Sequence, residues 1–241
     1  MEIPLSLDMG KLEFHKDTKT DFWTFLYSII ADWKMGINPI ILIVGRSQMG
    51  KSTTASLITK QLKEKLGDAI KFEPELHIAS KVETFLELIR DNKNTILVNE
   101  ESEDELYSGN WNSLENKLFH KVLVSQGKQH NIYILILHRY NDLDKKNRLK
   151  VNYIVAQRAR GFAKIKEIAN QPEDPEDKIK FKSKGSISYD TDMVDVNLWK
   201  RWESVVDPIK DKITSESIEK LHKKSGNIEN QPQYLQDMLK N

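Results

Sequence analysis

The chain has 241 residues and a mass of 28.0 kDa, room for one large domain or a domain with an appendage. Its 37 Lys+Arg stand against 36 Asp+Glu, a net charge of +1, which excludes a global basic field and leaves nucleic acid only local patches to bind. Cysteine is absent, which excludes disulfides, zinc–thiolate sites, iron–sulfur clusters and cysteine nucleophiles.

The first residues, MEIPLSLDMGKLEF, lack a basic start followed by an apolar block, so no secretory signal is read. A short strand is expected at residues 11–15. Residues 21–34 predict a helix, because Phe22, Phe25, Leu26, Ile29, Ile30 and Trp33 recur on one face. That face reads as a packing surface. Gly36 and Pro39 then punctuate the chain.

A rhythm of apolar strands and helices follows. Strands are expected at residues 39–44, 69–72, 95–98, 132–137 and 153–156, and helices at 51–66, 81–90 and 114–124. The runs at 39–44 and 132–137 suit strands buried on both faces; both fall far short of the roughly 20 residues of a membrane span. Strands alternating with helices predict an α/β fold with a mostly parallel central sheet covered by helices on both faces. Past Arg160 the character changes. Residues 170–177 (NQPEDPED) read as a linker. Residues 178–189 alternate and predict a hairpin turning through Lys184 and Gly185. Residues 195–224 predict a helix in two pieces broken near Pro208, and the end is a polar tail. The domain reading is a strand and packing helix at 1–38, a core at 39–169, and a small hairpin and helical appendage at 170–241.

Gly45-Arg46-Ser47-Gln48-Met49-Gly50-Lys51-Ser52 matches G-x-x-x-x-G-K-[ST] at every defined position, after an apolar strand and before a helix. Glycines let the backbone wrap an anion, and successive N–H groups and the helix N-terminus then face the phosphates. This predicts a P-loop NTPase binding ATP with Mg²⁺ (magnesium). Lys51 is expected on the β- and γ-phosphates, Ser52 on the metal and Thr53 near the α-phosphate. The residues Thr95-Ile-Leu-Val-Asn99-Glu100-Glu101 offer the acid expected at a neighbouring strand end. Two registers are open. In the favoured one, Asn99 stands where an Asp is usual and Glu100 polarises the attacking water. In the other, Glu100 partners the magnesium and Glu101 is the base. No Asn-Lys-x-Asp guanine-reading motif is found, since residues 92–95 fail at the last position. The segment between the P-loop helix and Thr95 has room for a further strand and helix, the layout of ATPases with an additional catalytic glutamate.

The stretch from Gly127 to Val155 carries a resemblance. Lys128 and His130 sit in a basic turn before an apolar strand, His138 closes that strand, and Arg148 and Asn152 lead into the last core strand. With the P-loop, residues 39–158 look like the FtsK–HerA superfamily of DNA-pumping ATPases, particularly its viral genome-packaging branch. Asn99 for Asp, Lys128 for Arg and His138 for Gln depart from the family pattern. The resemblance implies a ring, usually hexameric, with ATP between subunits and an arginine completing the neighbour's site. Arg148 has the family match, and Arg139, Arg158 and Arg160 are the other candidates. It also implies double-stranded DNA as the partner and His138 as the sensor. With no membrane span and no secretory signal read, the expectation is a cytoplasmic protein, in the host if viral. The first function expected is therefore an ATP-driven motor that translocates or packages DNA. A P-loop switch or assembly ATPase and a phosphotransferase are the rivals.

Lys145, Lys146, Arg148 and Lys150 form one basic cluster, and Lys178, Lys180, Lys182 and Lys184 alternate as on one strand face. Either suits DNA phosphates or a solvated surface balanced by acids. Trp199 and Trp202 are read as core. The six histidines show no metal-ligand spacing.

Overall fold

The sequence Ile-Ile-Leu-Ile-Val forms β1 (Ile40–Val44), whose first four side chains are 0–4% exposed. Only a central strand with both faces covered buries such a run. In the computed structural model, the described residues are 16–100, 114–125, 127–169, 179–190 and 195–225. They hold one seven-stranded sheet and seven helices. Helix α1 (Lys16–Lys34) precedes β1, and α2 (Lys51–Leu66) follows the P-loop. Next come α3 (Pro74–His77), β2 (Ile78–Ala79), α4 (Val82–Asp91), β3 (Ile96–Glu100), α5 (Leu114–Ser125) and β4 (Ile132–Leu137). Then follow α6 (Lys145–Arg148), β5 (Tyr153–Ala159), β6 (Phe162–Ile168), β7 (Phe181–Ser188) and α7 (Val196–Ser225).

The strand order is β2-β3-β4-β1-β5-β6-β7. Five strands, β2 through β5 in that order, run parallel, and β6 and β7 add an antiparallel hairpin extension. The α/β reading with a mostly parallel sheet therefore holds. Alternation divides the core. Ile40 and Leu42 join a cluster with Phe85 and Ile89 of α4 and Phe119 of α5. Ile41 and Ile43, also fully buried, face the other way, where α2 contacts β1 and β4. Each such side chain contributes about 1.5–3 kcal/mol of burial. The apolar face of α1 is buried from Phe22 to Ile30, with Trp33 half-buried at its end, and Phe25 meets Tyr153 edge-on at 5.5 Å. The Tyr153 hydroxyl donates to Asp32 at 2.7 Å, and burial and that carboxylate hold the phenol above its usual range. Trp202 is fully buried against Phe72, with ring centroids 5.9 Å apart, as core packing predicts.

The start of α7 is tied to the core through Arg201, whose guanidinium meets the Glu75 carboxylate of α3, with Nε to Oε1 at 2.7 Å. The chain divides into two units, Met1–Trp202 and Glu203–Asn241. In the second, the described residues continue the single helix α7.

Four expectations are corrected. Residues 69–72 form no strand; Lys71 makes a lone parallel bridge to Thr95 after a 3₁₀ turn at Gly67–Ala69. The last core strand runs on to Ala159 and folds straight back into β6, a pairing that the mixed pattern after Arg160 concealed. Gly185 is not a turn: β7 is one strand, and its register against β6 shifts beside Ile165 and Lys166. Helix α7 passes unbroken through Pro208, because one lost amide donor bends a helix of good formers without ending it. Residues 11–15, the linker at 170–177 and the tail beyond 225 lie outside the described residues.

Gly185 explains its own shift. Its φ is +100°, and a Cβ there would lie 2.0 Å from the Asp21 carboxylate, which accepts from the Ser186 amide at 3.0 Å. Gly185→Ala should cost about 2–4 kcal/mol by strain and displacement of Asp21. The urea midpoint reads this directly, and a midpoint equal to wild type would show the hairpin tolerant there.

Candidate functional site

The site is built where β1 ends. Val44 pairs with Leu137 of β4 on one side and Ala156 of β5 on the other, so the loop Gly45–Ser52 opens at the C-terminal edge of the sheet. Ligands of open parallel sheets bind at that edge. Gly45 donates its amide to the His138 carbonyl at 3.1 Å. Gln48 and Gly50 take left-handed backbone, with φ of 62° and 83°, and Gly50 caps α2 without a side chain. Such turns aim successive amides into one concavity.

Lys51 is 5% exposed and donates to the Gly45 carbonyl at 2.9 Å, so its ammonium lies across the loop's mouth. The Ser52 hydroxyl donates to the Glu100 carboxylate in a close contact. Glu100 ends β3, is 1% exposed, and is reached although β4 stands between β3 and β1. The further strand expected before Thr95 is β2, which lies on the far side of β3, and the strand between β3 and β1 is β4, which comes later in the chain. Asn99 is fully buried beside it. Glu101 lies outside the described residues. A hydroxyl and a carboxylate are hard oxygen donors of the kind Mg²⁺ takes, with the rest of its shell left to water and phosphates. The pair Ser52 and Glu100 therefore fits that ion.

A cleft of about 750 Å³ opens beside the loop, lined by Arg46, Ser47, Met49, His138, Arg139, Gln157 and Arg158 among others. That is the scale of a small-molecule site. No acidic residue lines it, and among the described residues Arg46, Arg139 and Arg158 form no ion pair. The side chain of Arg160 passes over Gly50, 3.6 Å from where a Cβ would stand. The cleft is thus positive, which suits an anion. His138 Nε2 lies 2.7 Å from Ser47 Oγ, tying the end of β4 to the loop. Thr53, at the first turn of α2, is half-buried.

Other residues from the sequence reading lie elsewhere. Lys128 and His130 precede β4 and so stand at the opposite edge of the sheet, about 20 Å of strand from the loop. The His130 carbonyl accepts from the Trp33 indole at 2.6 Å and anchors α1. Asn152 is at that same far edge, where its Oδ1 accepts from the Ile40 amide at 2.8 Å. Arg148 is half-exposed, donates to Asn141 Oδ1 at 2.9 Å and lies over the Tyr140 ring at 5.5 Å; it does not line the cleft. Lys145 and Lys146 are exposed, whereas Lys184 pairs with Glu167 at 2.9 Å, which offsets its charge. Lys178 lies outside the described residues.

Sequence reasoning missed Gln157, which lines the cleft and supports the loop, and Thr54 and Tyr189, which bond beneath it. The signal for Gln157 was available: a polar residue follows the apolar run of the last core strand.

No protein-family model matches the sequence, and no curated protein matches it. Among solved structures, the N-terminal domain of zonular occludens toxin from Neisseria meningitidis is similar at 14% identity and a TM-score of 0.41, covering 67% of this chain and 97% of that one. The genome packaging NTPase of Sulfolobus turreted icosahedral virus 2, solved in complex with ATP-gammaS, is similar at 12% identity and a TM-score of 0.36, covering 60% and 96%. Both scores fall below 0.5, so the site stands on the chain's own motif and geometry.

A Cβ at position 45 would lie 2.7 Å from Gln157 Cβ and 3.2 Å from its carbonyl. Gly45→Ala should force the loop or β5 to move, at about 1–3 kcal/mol. Thermal unfolding checks this; an unchanged melting temperature would mean the loop is not seated on β5.

Proposed function

We propose that this chain is a magnesium-dependent ATPase, hydrolysing ATP to ADP and phosphate, and that it drives the movement or packaging of double-stranded DNA as a homo-oligomeric ring. The observation that carries the ATPase reading is the complete P-loop, set between a buried strand and a helix, with its serine against a buried glutamate two strands away. In this reading Lys51 leaves the Gly45 carbonyl for the β- and γ-phosphates. Ser52 and Glu100 hold Mg²⁺, which when bound supplies charge to offset that of the phosphates. The Glu100 carboxylate, already against Ser52, fits the metal-side register better than the water-polarising one. The arginines of the cleft add positive charge around the leaving phosphate. His138, bonded to Ser47, links the loop to β4 and so to any movement of it.

The DNA and ring parts rest on the sequence resemblance and on three features. Lys145 and Lys146 are exposed beside Arg148; Arg148 is outside its own subunit's cleft; and the chain's balanced charge confines DNA contact to such a patch. An arginine away from its own P-loop is available to a neighbour's.

Lys51→Ala is expected to abolish turnover while the protein stays folded. Glu100→Gln is expected to retain ATP binding and lose the magnesium dependence together with hydrolysis. A malachite-green phosphate assay with and without EDTA measures both; wild-type turnover in Lys51→Ala would remove the P-loop assignment.

Arg148→Ala is expected to leave ATP affinity unchanged and to cut hydrolysis by about 10³-fold or more. Mixing it with Lys51→Ala subunits should restore part of the activity, at interfaces that pair an intact loop with an intact arginine. Replacing Lys145 and Lys146 with Ala should spare basal hydrolysis and flatten the salt dependence of DNA binding by about one unit of slope per lost phosphate contact. A monomer whose hydrolysis is indifferent to DNA would favour the switch or phosphotransferase reading.

A further inference from the structure

Beneath the P-loop lies a buried polar chain that joins three elements. Thr54 is in the first turn of α2, Gln157 is near the end of β5, and Tyr189 directly follows β7. They are 0%, 5% and 5% exposed. Thr54 Oγ1 lies 2.9 Å from Gln157 Oε1, 2.6 Å from the Tyr189 hydroxyl and 3.1 Å from the Gly50 carbonyl. Gln157 Nε2 donates to the Ala159 carbonyl at 2.9 Å.

Proton counting orders the chain. The Ala159 carbonyl only accepts, so the Gln157 amide must turn its nitrogen there and its oxygen to Thr54. The threonine has one proton, and Gln157 Oε1 is its nearer acceptor. Tyr189 must then donate to Thr54. Burial holds the Tyr189 phenol above its usual range, which keeps that proton in place. A directed relay results, from Tyr189 to Thr54 to Gln157 to the Ala159 carbonyl. A primary amide satisfies both ends, whereas a carboxylate lacks the donor and an aliphatic chain lacks both.

Gln157 also touches the loop sterically. It closes the space a Cβ would need at Gly45, and its amide nitrogen is 3.9 Å from the corresponding point at Gly50. The register irregularity between Gln157 and Ala159 lets residue 157 keep its pairing to Ala163 while Ala159 moves on to Phe162. Gly45 and the first turn of α2 thus rest on one side chain.

We propose that Gln157 is a positioning residue of the P-loop: through Thr54, and with Tyr189 as the outer donor, it holds the loop and the start of α2 in the open form that receives a triphosphate. The proposal rests on the P-loop reading above. Gln157 also lines the cleft beside the loop, whereas Thr54 and Tyr189 do not, so the role assigned to it is the seating of the loop, and Thr54→Val tests that seating apart from the cleft. Its effect falls on nucleotide affinity, because a loop released from behind must be reordered at each binding event.

The test titrates a fluorescent ATP analogue with Mg²⁺ against full-length wild type, Gln157→Leu, Thr54→Val, Thr54→Ser and Tyr189→Phe, with urea midpoints measured without nucleotide. Gln157→Leu and Thr54→Val should each weaken binding about tenfold, and Thr54→Ser, which keeps the hydroxyl, should restore it to within about threefold of wild type. The double variant Gln157→Leu with Thr54→Val should bind no worse than the weaker single, because both break one bond. KM for ATP should rise more than kcat falls. Lower midpoints with unchanged affinity of the folded protein would overturn the proposal, leaving the relay a purely structural contact. If Gln157→Leu fails to fold, Thr54→Val and Tyr189→Phe decide, and wild-type affinity in both overturns it. Lys51→Ala, titrated alongside, separates the two readings. Binding lost there but intact in Gln157→Leu refutes only the positioning role; no binding by wild type refutes both.

Discussion

The loop from Gly45 to Ser52 is held from behind by the side chain of Gln157, and the rest of the site depends on that seating. A ring of backbone amides aimed at one point has no internal partners and does not stay open by itself. It needs a rigid strand entering, a rigid helix leaving and something filling the space underneath. β1 supplies the first, because its apolar run is locked between β4 and β5. α2 supplies the second, and its first turn is pinned at Thr54. Gly45 is the point where loop and β5 come closest, so the residue type at 45 and the side chain at 157 are one constraint seen from two sides.

Charge is segregated around this frame. Glu100 meets Ser52 on the β3 side, while Arg46, Arg139 and Arg158 line the cleft at the ends of β1, β4 and β5. The sheet order produces the separation: β4 and β5 flank β1 and deliver the arginines, and β3, beyond β4, delivers the acid. In a chain of net charge +1, three arginines in one cleft with no acid lining it mean that the compensating acids lie elsewhere. A polyphosphate bridging loop and cleft would meet positive groups on both sides and the carboxylate only at the serine end, where a divalent cation offsets it.

Much of this was legible in the sequence, for identifiable reasons. Continuous apolar runs mark strands buried on both faces, and β1 and β4 came out within a residue of expectation. The helix 51–66 is bounded by a loop glycine before it and Gly67 after it, and both ends agree. The failures share a cause. The antiparallel extension β6–β7 is exposed along part of its length, so its pattern is mixed and its partner is not local. A glycine beside a lysine has the look of a turn, and only the Asp21 carboxylate of a distant helix reveals why a glycine is needed at 185. Pro208 was read as a break because proline costs a helix one bond, yet the flanking residues carry the helix past it. At the site, the P-loop residues and Glu100 were found because their chemistry imposes a spacing. Gln157 and Tyr189 were not, because their partners lie 103 and 135 positions from Thr54 and no spacing rule connects them.

The residues that carried the family resemblance divide by the sheet edge they occupy. His138 is at the edge of the P-loop and bonds to it, whereas Lys128, His130 and Asn152 are at the other, where the His130 carbonyl ties α1 and Asn152 holds the start of β1. A residue at the start of a parallel strand is separated from the loop by the length of that strand, so it can influence phosphate chemistry only by moving the strand. β4 is such a strand: buried throughout, hydrogen-bonded to β1 and β3, with His138 at its end against Ser47. A displacement at its start would be carried to the loop, since a close-packed strand has no slack to absorb it. The two sheet edges are therefore mechanically joined, and the helix α1, bonded through Trp33 to the carbonyl just before β4, is attached to the end from which such a displacement would begin.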